Sequence, residues 1–367
     1  MRKYFPLFGT FLFLSLIFFS CGKQAIREIT VDPGSPDTIP TDYYQHGIFV
    51  INEGNYNWGN ASISFVDYNT GAITQNVFDK ENGRDLGDVA QCMKIFNGKG
   101  YIVVNNSNRI EVVDIKTFKS IKTITGFYSP RNISFINSSK AYVTNLQSNI
   151  SILDLRSNEI TGSIPVEGWT ENQVLYDPYM FVTAIGEYRE PSFRRNPMIL
   201  VIDTRTDLII DTIPTGKEPI GLIMDNQHKL WVLCSGGYDY FEAPSLIRID
   251  PGNRKIEEVF TFSTTQTVPS RLSINTSGDT LYFLNGGIYQ MPICERGIPI
   301  HPLVNANGRL FYGLSVHPSS GFIFVSDALD YVQNGMVYQY NTSGTLIRQF
   351  SVGRIPGSFC FTTDSLR

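Results

Sequence analysis

The chain has 367 residues, 42 % of them hydrophobic and 17 % charged, a balance that excludes an intrinsically disordered protein and suffices for one large domain or two ordinary ones. Thirty Lys and Arg face 34 Asp and Glu, a formal net charge of −4, so no basic excess points to nucleic acid as a partner. Four His and five Cys supply little for a multi-ligand centre, and neither a metal nor a cofactor is expected.

Arg2 and Lys3 precede an apolar run from Tyr4 to Phe19 that ends at Ser20-Cys21-Gly22. A positive start, a short apolar stretch and a small-residue end make residues 1–20 a secretory signal, too short for a comfortable membrane span. Ile17 to Cys21 resembles a bacterial lipoprotein box, which implies that Cys21 becomes a lipidated N-terminus; an ordinary signal with a coincidental cysteine is the alternative. Residues 21–45, rich in Pro, Gly, Ser and Asp without apolar periodicity, read as a flexible tether reaching roughly 25–30 Å from a membrane.

From residue 46 to 367 one pattern recurs: an apolar strand ending in Asp, a turn, and a second strand. It runs Ile63–Asp67, Ile110–Asp114, Ile150–Asp154, Ile199–Asp203 and Leu246–Asp250, with the Asp positions 47, 40, 49 and 47 residues apart. Weaker copies follow at Ile288–Pro292 and Val337–Asn341. A β-rich strand precedes each copy, from Ile48–Ile51 to Phe322–Val325. Another apolar stretch precedes six of the seven. The first copy lacks this leading strand, and Pro356–Phe361 is left over at the C-terminus. Seven units of 46 residues with four strands each describe an all-β, seven-bladed β-propeller whose C-terminal strand closes the first blade.

Ala141-Tyr142-Val143-Thr144-Asn145 followed by Ile150–Asp154 resembles the YVTN-type propeller repeat, and Pro219-Ile220-Gly221-Leu222 resembles its entry into an innermost strand. Phe49–Tyr56 with Gly59–Ser64 is similar to the opening of the BtuG-type proteins, seven-bladed surface lipoproteins of gut bacteria. That resemblance implies a binding protein for cobalamin that sits over a TonB-dependent outer-membrane transporter. It also implies lipid anchoring at the outer membrane, with the cell surface as the expected location. Gly22 to Arg27 carries no acidic residue, so the sequence leaves the periplasmic face open.

With strands A to D numbered outward from the axis, A–B and C–D turns share one face, and B–C and D–A connections share the other. The first set is short, such as Pro251–Arg254 and Asn341–Gly344. The second set is long and aromatic. Its B–C loops carry Tyr56 and Trp58 in blade 1, Tyr188 in blade 4, Tyr238 and Tyr240 in blade 5, and Tyr331 beside Asp327 and Asp330 in blade 7. Its D–A connections carry Tyr128, Arg131, Trp169 and Arg271, and also Arg84, Glu171, Arg309 and Tyr312. Rigid aromatics with directed donors on one face suit a broad ligand with flat, polar and anionic parts. The candidate ligand-binding set is therefore Tyr56, Trp58, Tyr128, Arg131, Trp169, Tyr188, Tyr238, Tyr240, Arg271 and Tyr331. Each also has the plainer role of packing its loop.

No P-loop, nucleophile elbow or dinucleotide fingerprint occurs. His228 and His317 fall near A–B turns, away from the long loops. Cys92 and Cys360 fall on neighbouring innermost strands, as a disulfide or as inert thiols. The leading expectation is a non-catalytic nutrient-binding lipoprotein; the alternatives are a propeller enzyme of lactonase or lyase type and a glycan- or protein-binding propeller.

Overall fold

The recurring aspartate closes a hairpin. In the computed structural model, which describes residues 43–68, 70–147, 149–166, 168–186 and 197–362, Asp114 Oδ1 accepts the backbone N–H groups of Lys116 and Thr117 at 2.8 and 3.0 Å. Asp154 does the same for Arg156 and Ser157, and Asp250 for Gly252 and Asn253. Each carboxylate satisfies donors that a tight turn leaves unpaired, so the chain reverses at the same point in each blade that carries one. Asn341 replaces the aspartate in blade 7, where its Oδ1 accepts the N–H groups of Ser343 and Thr345, two and four residues on. Blade 6 ends instead at Pro292, and its C–D connection is correspondingly long, from Ile293 to Leu303.

The described residues form seven four-stranded antiparallel sheets. Alternation within each strand sends side chains to both sheet faces, and both faces are buried. Ile48 and Val50 pack into the seam between blades 7 and 1, whereas Phe49 and Ile51 pack into the seam between blades 1 and 2. A hydrophobic cluster of this kind fills each seam around the ring. That is why the inner strands read as nearly continuous apolar runs.

Closure follows the sequence expectation. Pro356–Phe361 is the innermost strand of blade 1 and pairs antiparallel with Gly47–Asn52, with Ile48 opposite Phe361 and Val50 opposite Phe359. Gly47 donates its N–H to Thr362 Oγ1 at 3.0 Å just beyond. The two ends of the propeller are thus held in one sheet with no open inner edge.

Two local features were not foreseen. The outer strand of blade 1 is only Ile73–Thr74, and a short helix, Val77–Asn82, takes over its packing role with Val77 and Phe78 fully buried. Six residues are too few to register as a helical period. The described body also begins before residue 46: Tyr43–Gln45 form a 3-10 turn, and Tyr44 is buried against Phe65 and Phe118. The signal, Cys21 and most of the tether lie outside the described residues.

Among the described residues Cys92, Cys234 and Cys294 are free thiols, and no disulfide joins Cys92 to Cys360. Cys360 packs in the seam of blades 1 and 2 and Cys92 against the seam of blades 2 and 3, so the two point apart.

Candidate functional site

Every innermost strand breaks register with its neighbour at the same level. Pairing skips Gln91 in blade 2, Arg131 in blade 3, Glu171 and Asn172 in blade 4, and Ile220 in blade 5. It skips Arg271 and Leu272 in blade 6, Tyr312 and Gly313 in blade 7, and Gly357 in blade 1. A bulge re-aims a side chain that regular pairing would send into a seam. Seven bulges at one level turn seven positions towards the axis, where they line a cavity of about 750 Å³ on the B–C and D–A face. The strand-opening Pro130, Pro219 and Pro356 each immediately precede a bulged residue, because proline has no N–H to give the ladder there.

The bulged carbonyls, freed from their own sheet, accept hydrogen bonds from the preceding blade. Ser358 donates to Gln91 O at 3.2 Å, Cys92 to Arg131 O at 3.5 Å, and Arg271 Nε to Tyr312 O at 2.8 Å. Asn172 donates to Ile220 O in the same manner. The mouth is therefore fixed by polar links between blades above the apolar seams.

Two charged groups of residues stand in this ring. In the first, Arg131 Nε donates to Glu171 Oε2 at 2.8 Å and Nη1 to Gln91 Oε1. Burial opposes the Arg131 charge, but Glu171 and, more distantly, Glu53 outweigh it, and the guanidinium is held above its ordinary range. In the second, Glu53 from the blade 1 B–C loop reaches across to blades 6 and 7. Its Oε2 accepts the Tyr312 hydroxyl at 2.8 Å, and its Oε1 lies 3.5 Å from Arg271 Nη2. The Arg271 guanidinium lies 5.0 Å from the Tyr312 ring centroid, and Tyr331 meets that ring edge-on. Burial, then the Glu53 carboxylate, push the Tyr312 hydroxyl up, so it stays a neutral donor.

The cavity has two unlike halves. Blades 2 to 4 offer amides and charge: Gln91, Arg131, Asn132, Glu171 and Asn172. Blades 5 to 7 add rings and aliphatic carbons, led by Tyr238, Tyr240, Tyr312 and Tyr331. The buried acceptor Asn132 Oδ1 on the first side has no hydrogen-bond partner among the described residues. Tyr240, Arg271 and Tyr331 have φ of 58°, 56° and 62°, a left-handed backbone that non-glycine residues seldom adopt.

Of the ten residues expected from sequence, Arg131, Tyr238, Tyr240, Arg271 and Tyr331 line this cavity. Tyr56, Trp58 and Tyr128 stand exposed outside the lining, and Trp169 opens the blade 4 innermost strand opposite Gly186. Tyr188 lies outside the described residues. Arg84 grips the fully buried Glu111 through two bonds of 2.9 and 2.7 Å instead of facing the axis. Asp327 and Asp330 accept turn N–H groups within their own loop. Glu53, Gln91, Glu171 and Tyr312 were not among the ten. The residue following a strand-opening proline, or its counterpart in the other blades, is the signal that finds most of them.

Kinship is decided by one comparison: the family described as Domain of unknown function (DUF5074) matches residues 46–355. The chain belongs to the DUF5074 family. No curated protein matches it. Among solved structures, it is similar to a quinonprotein alcohol dehydrogenase-like protein from Bacteroides thetaiotaomicron at 16 % identity and a TM-score of 0.65, over 87 % of this chain and 79 % of that one. It is also similar to BamB from Moraxella catarrhalis, at 14 % identity and 0.54 over 85 % of each chain. Apo AztD from Citrobacter koseri matches at 13 % and 0.54, over 86 % of this chain and 96 % of that one. At such identities the likeness is one of fold alone.

In this DUF5074 propeller the rim loops are pinned. Asn55 Nδ2 donates to Tyr331 O at 2.6 Å, tying the blade 1 loop to blade 7, and Asn106 ties it to blade 2 through Asn57 at 2.9 Å. Lys217 pairs with Asp239, the residue between Tyr238 and Tyr240 in the chain. Loops held in this way lose less entropy when a ligand arrives.

Proposed function

We propose that this DUF5074 protein is a non-catalytic binding lipoprotein that takes a nutrient at the channel mouth and passes it to a TonB-dependent outer-membrane transporter. The observation that carries the reading is the divided cavity. Its volume falls in the range of small-molecule sites, ~300–1,000 Å³. A flat ligand would stack on the tyrosines of blades 5 to 7 and present hydrogen-bonding groups to the amide wall of blades 2 to 4. A corrinoid, a broad ring with amide arms, is the ligand we favour, in keeping with the resemblance of the blade 1 opening to cobalamin-binding propellers. Lipidation at Cys21 and attachment to the outer membrane belong to the same proposal.

A catalytic reading would require an acid or base at the mouth free to move a proton. The carboxylates there, Glu53 and Glu171, are each engaged by an arginine, which suits recognition better than proton transfer.

A thermal-shift screen with corrinoids, neutral and acidic glycans, and divalent cations tests the reading. A ligand at 100 times its Kd adds about 2.7 kcal/mol to stability and raises Tm visibly. Stabilisation by cyanocobalamin supports the corrinoid assignment. Stabilisation by a glycan alone moves the ligand class, and turnover of any compound in the screen overturns the non-catalytic reading.

A further inference from the structure

Three arginines are among the residues that line the mouth, Arg131, Arg271 and Arg309, and they are not equivalent. Arg131 is balanced by Glu171 at 2.8 Å, and Arg271 faces Glu53 at 3.5 Å. Arg309 has no carboxylate within ion-pair distance among the described residues. Its guanidinium lies over the Tyr338 ring at 4.6 Å from the centroid, and Nη1 reaches Ala306 O at a long 3.4 Å.

The turn that carries Arg309 is fixed. Its backbone N–H donates to Ala306 O at 3.1 Å, and Asn307 and Gly308 between them adopt φ of 51° and 83°. The aromatic face holds the cation in place without cancelling its charge, and the in-plane N–H groups other than the one directed at Ala306 O have no acceptor among the described residues. The cavity lining therefore contains two neutralised arginines and one whose charge is unanswered.

We propose that the ligand carries a single anionic group, a phosphodiester or a carboxylate, and that Arg309 is the residue that reads it. The rest of the ligand meets a wall without net charge, so additional anionic groups gain nothing from Arg131 or Arg271. A planar guanidinium can meet either group through two parallel bonds, which a lysine in its place could not do. This inference rests on the mouth being a ligand site.

The first test is independent of the ligand's identity. Crystals of the protein are soaked in selenate, and the anion is located by anomalous scattering. Selenate is expected at Arg309 and is expected to vanish in Arg309→Gln. Selenate at Arg131 or Arg271, or none in the cavity, overturns the assignment of Arg309. The second test uses matched pairs in solution: cyanocobalamin, which carries a phosphodiester, against dicyanocobinamide, which lacks it, and sialyllactose, which carries a carboxylate, against lactose. Within the series that binds, the anionic member should bind on the order of tenfold more tightly, and more so at low salt. Arg309→Gln should bring the two members to within about twofold and Arg309→Lys should keep part of the preference. A preference that survives Arg309→Gln, or equal binding of both members to the unaltered protein, overturns the inference. If neither series binds, the corrinoid and glycan readings fail, and the selenate result still decides the role of Arg309.

Discussion

Gly357 lacks a side chain where the carboxylate of Glu53 needs the room: a Cβ at residue 357 would lie 2.2 Å from Glu53 Oε1. At its bulge blade 1 thus brings only backbone to the mouth, and its side-chain contribution comes from the B–C loop. Gly357→Ala should displace Glu53, break its bond to Tyr312 and loosen its pairing with Arg271. We expect a loss of about 1–3 kcal/mol, read as a lower midpoint in chemical denaturation. In a Glu53→Ala background the same change should cost much less, because the clash is gone. Additive costs would mean that the two residues act separately.

The closing strand should decide whether the ring holds. Ending the chain at Ile355 removes Phe359, Cys360 and Phe361 and exposes both an inner strand edge and two seams. Loss of a single cooperative transition by circular dichroism, with self-association on gel filtration, is the expected result. Phe361→Ala, which only empties a buried position, should fold and lose about 3–5 kcal/mol.

Ligand affinity should divide the aromatic residues by position. For whichever compound the thermal-shift screen identifies, Tyr240→Ala and Tyr331→Ala should each weaken binding roughly tenfold, in line with about 1.5 kcal/mol for a buried ring. Trp58→Ala and Tyr128→Ala, outside the lining, should leave Kd within about twofold. Titration calorimetry separates these outcomes, and a large effect at Trp58 would move the site outward over the rim.

Acid should weaken the fold through His317. Its Nδ1 accepts the backbone N–H groups of Ser319 and Ser320 at 3.2 and 3.1 Å, and its ring packs between Tyr68 and Phe361. Burial holds its pKa below the ordinary value. The unfolded chain then takes up a proton near pH ~6.5 that the folded protein refuses. The stabilisation is therefore complete above that pH and is lost as the pH falls towards the lowered folded value. Tm should drop between pH 7 and pH 5. Asn137 accepts the N–H groups of Ser139 and Lys140 in the equivalent turn of blade 3, so His317→Asn should preserve the turn and flatten this part of the profile. An unchanged slope in His317→Asn would assign the acid sensitivity elsewhere.

What could be read in advance follows from how local each signal is. Asp114, Asp154, Asp203 and Asp250 act within three residues of themselves, so their spacing announced the blade count. Phe359 and Phe361 announced the closing strand because they alternate in a segment without neighbours of its own. A bulge is different: it exists only relative to a partner strand, and Gln91 and Glu171 are marked only through their counterparts, the residues that follow the strand-opening prolines of other blades. Glu53 was invisible for a related reason. Its partners Arg271 and Tyr312 are more than two hundred residues away in the chain and meet it only once the ring has closed.

The bulges have a consequence for how such a mouth changes over time. Each of blades 2 to 7 shows the axis a side chain at a point where the ladder is already interrupted, while the seams that hold the blades together lie elsewhere on the same strands. A substitution at Gln91 or Ile220 rewrites one letter of the recognition surface and leaves the apolar seams between blades as they were. Diversification of cargo and preservation of the scaffold are in this way assigned to separate positions, and a lineage of these proteins can explore new chemistry one blade at a time.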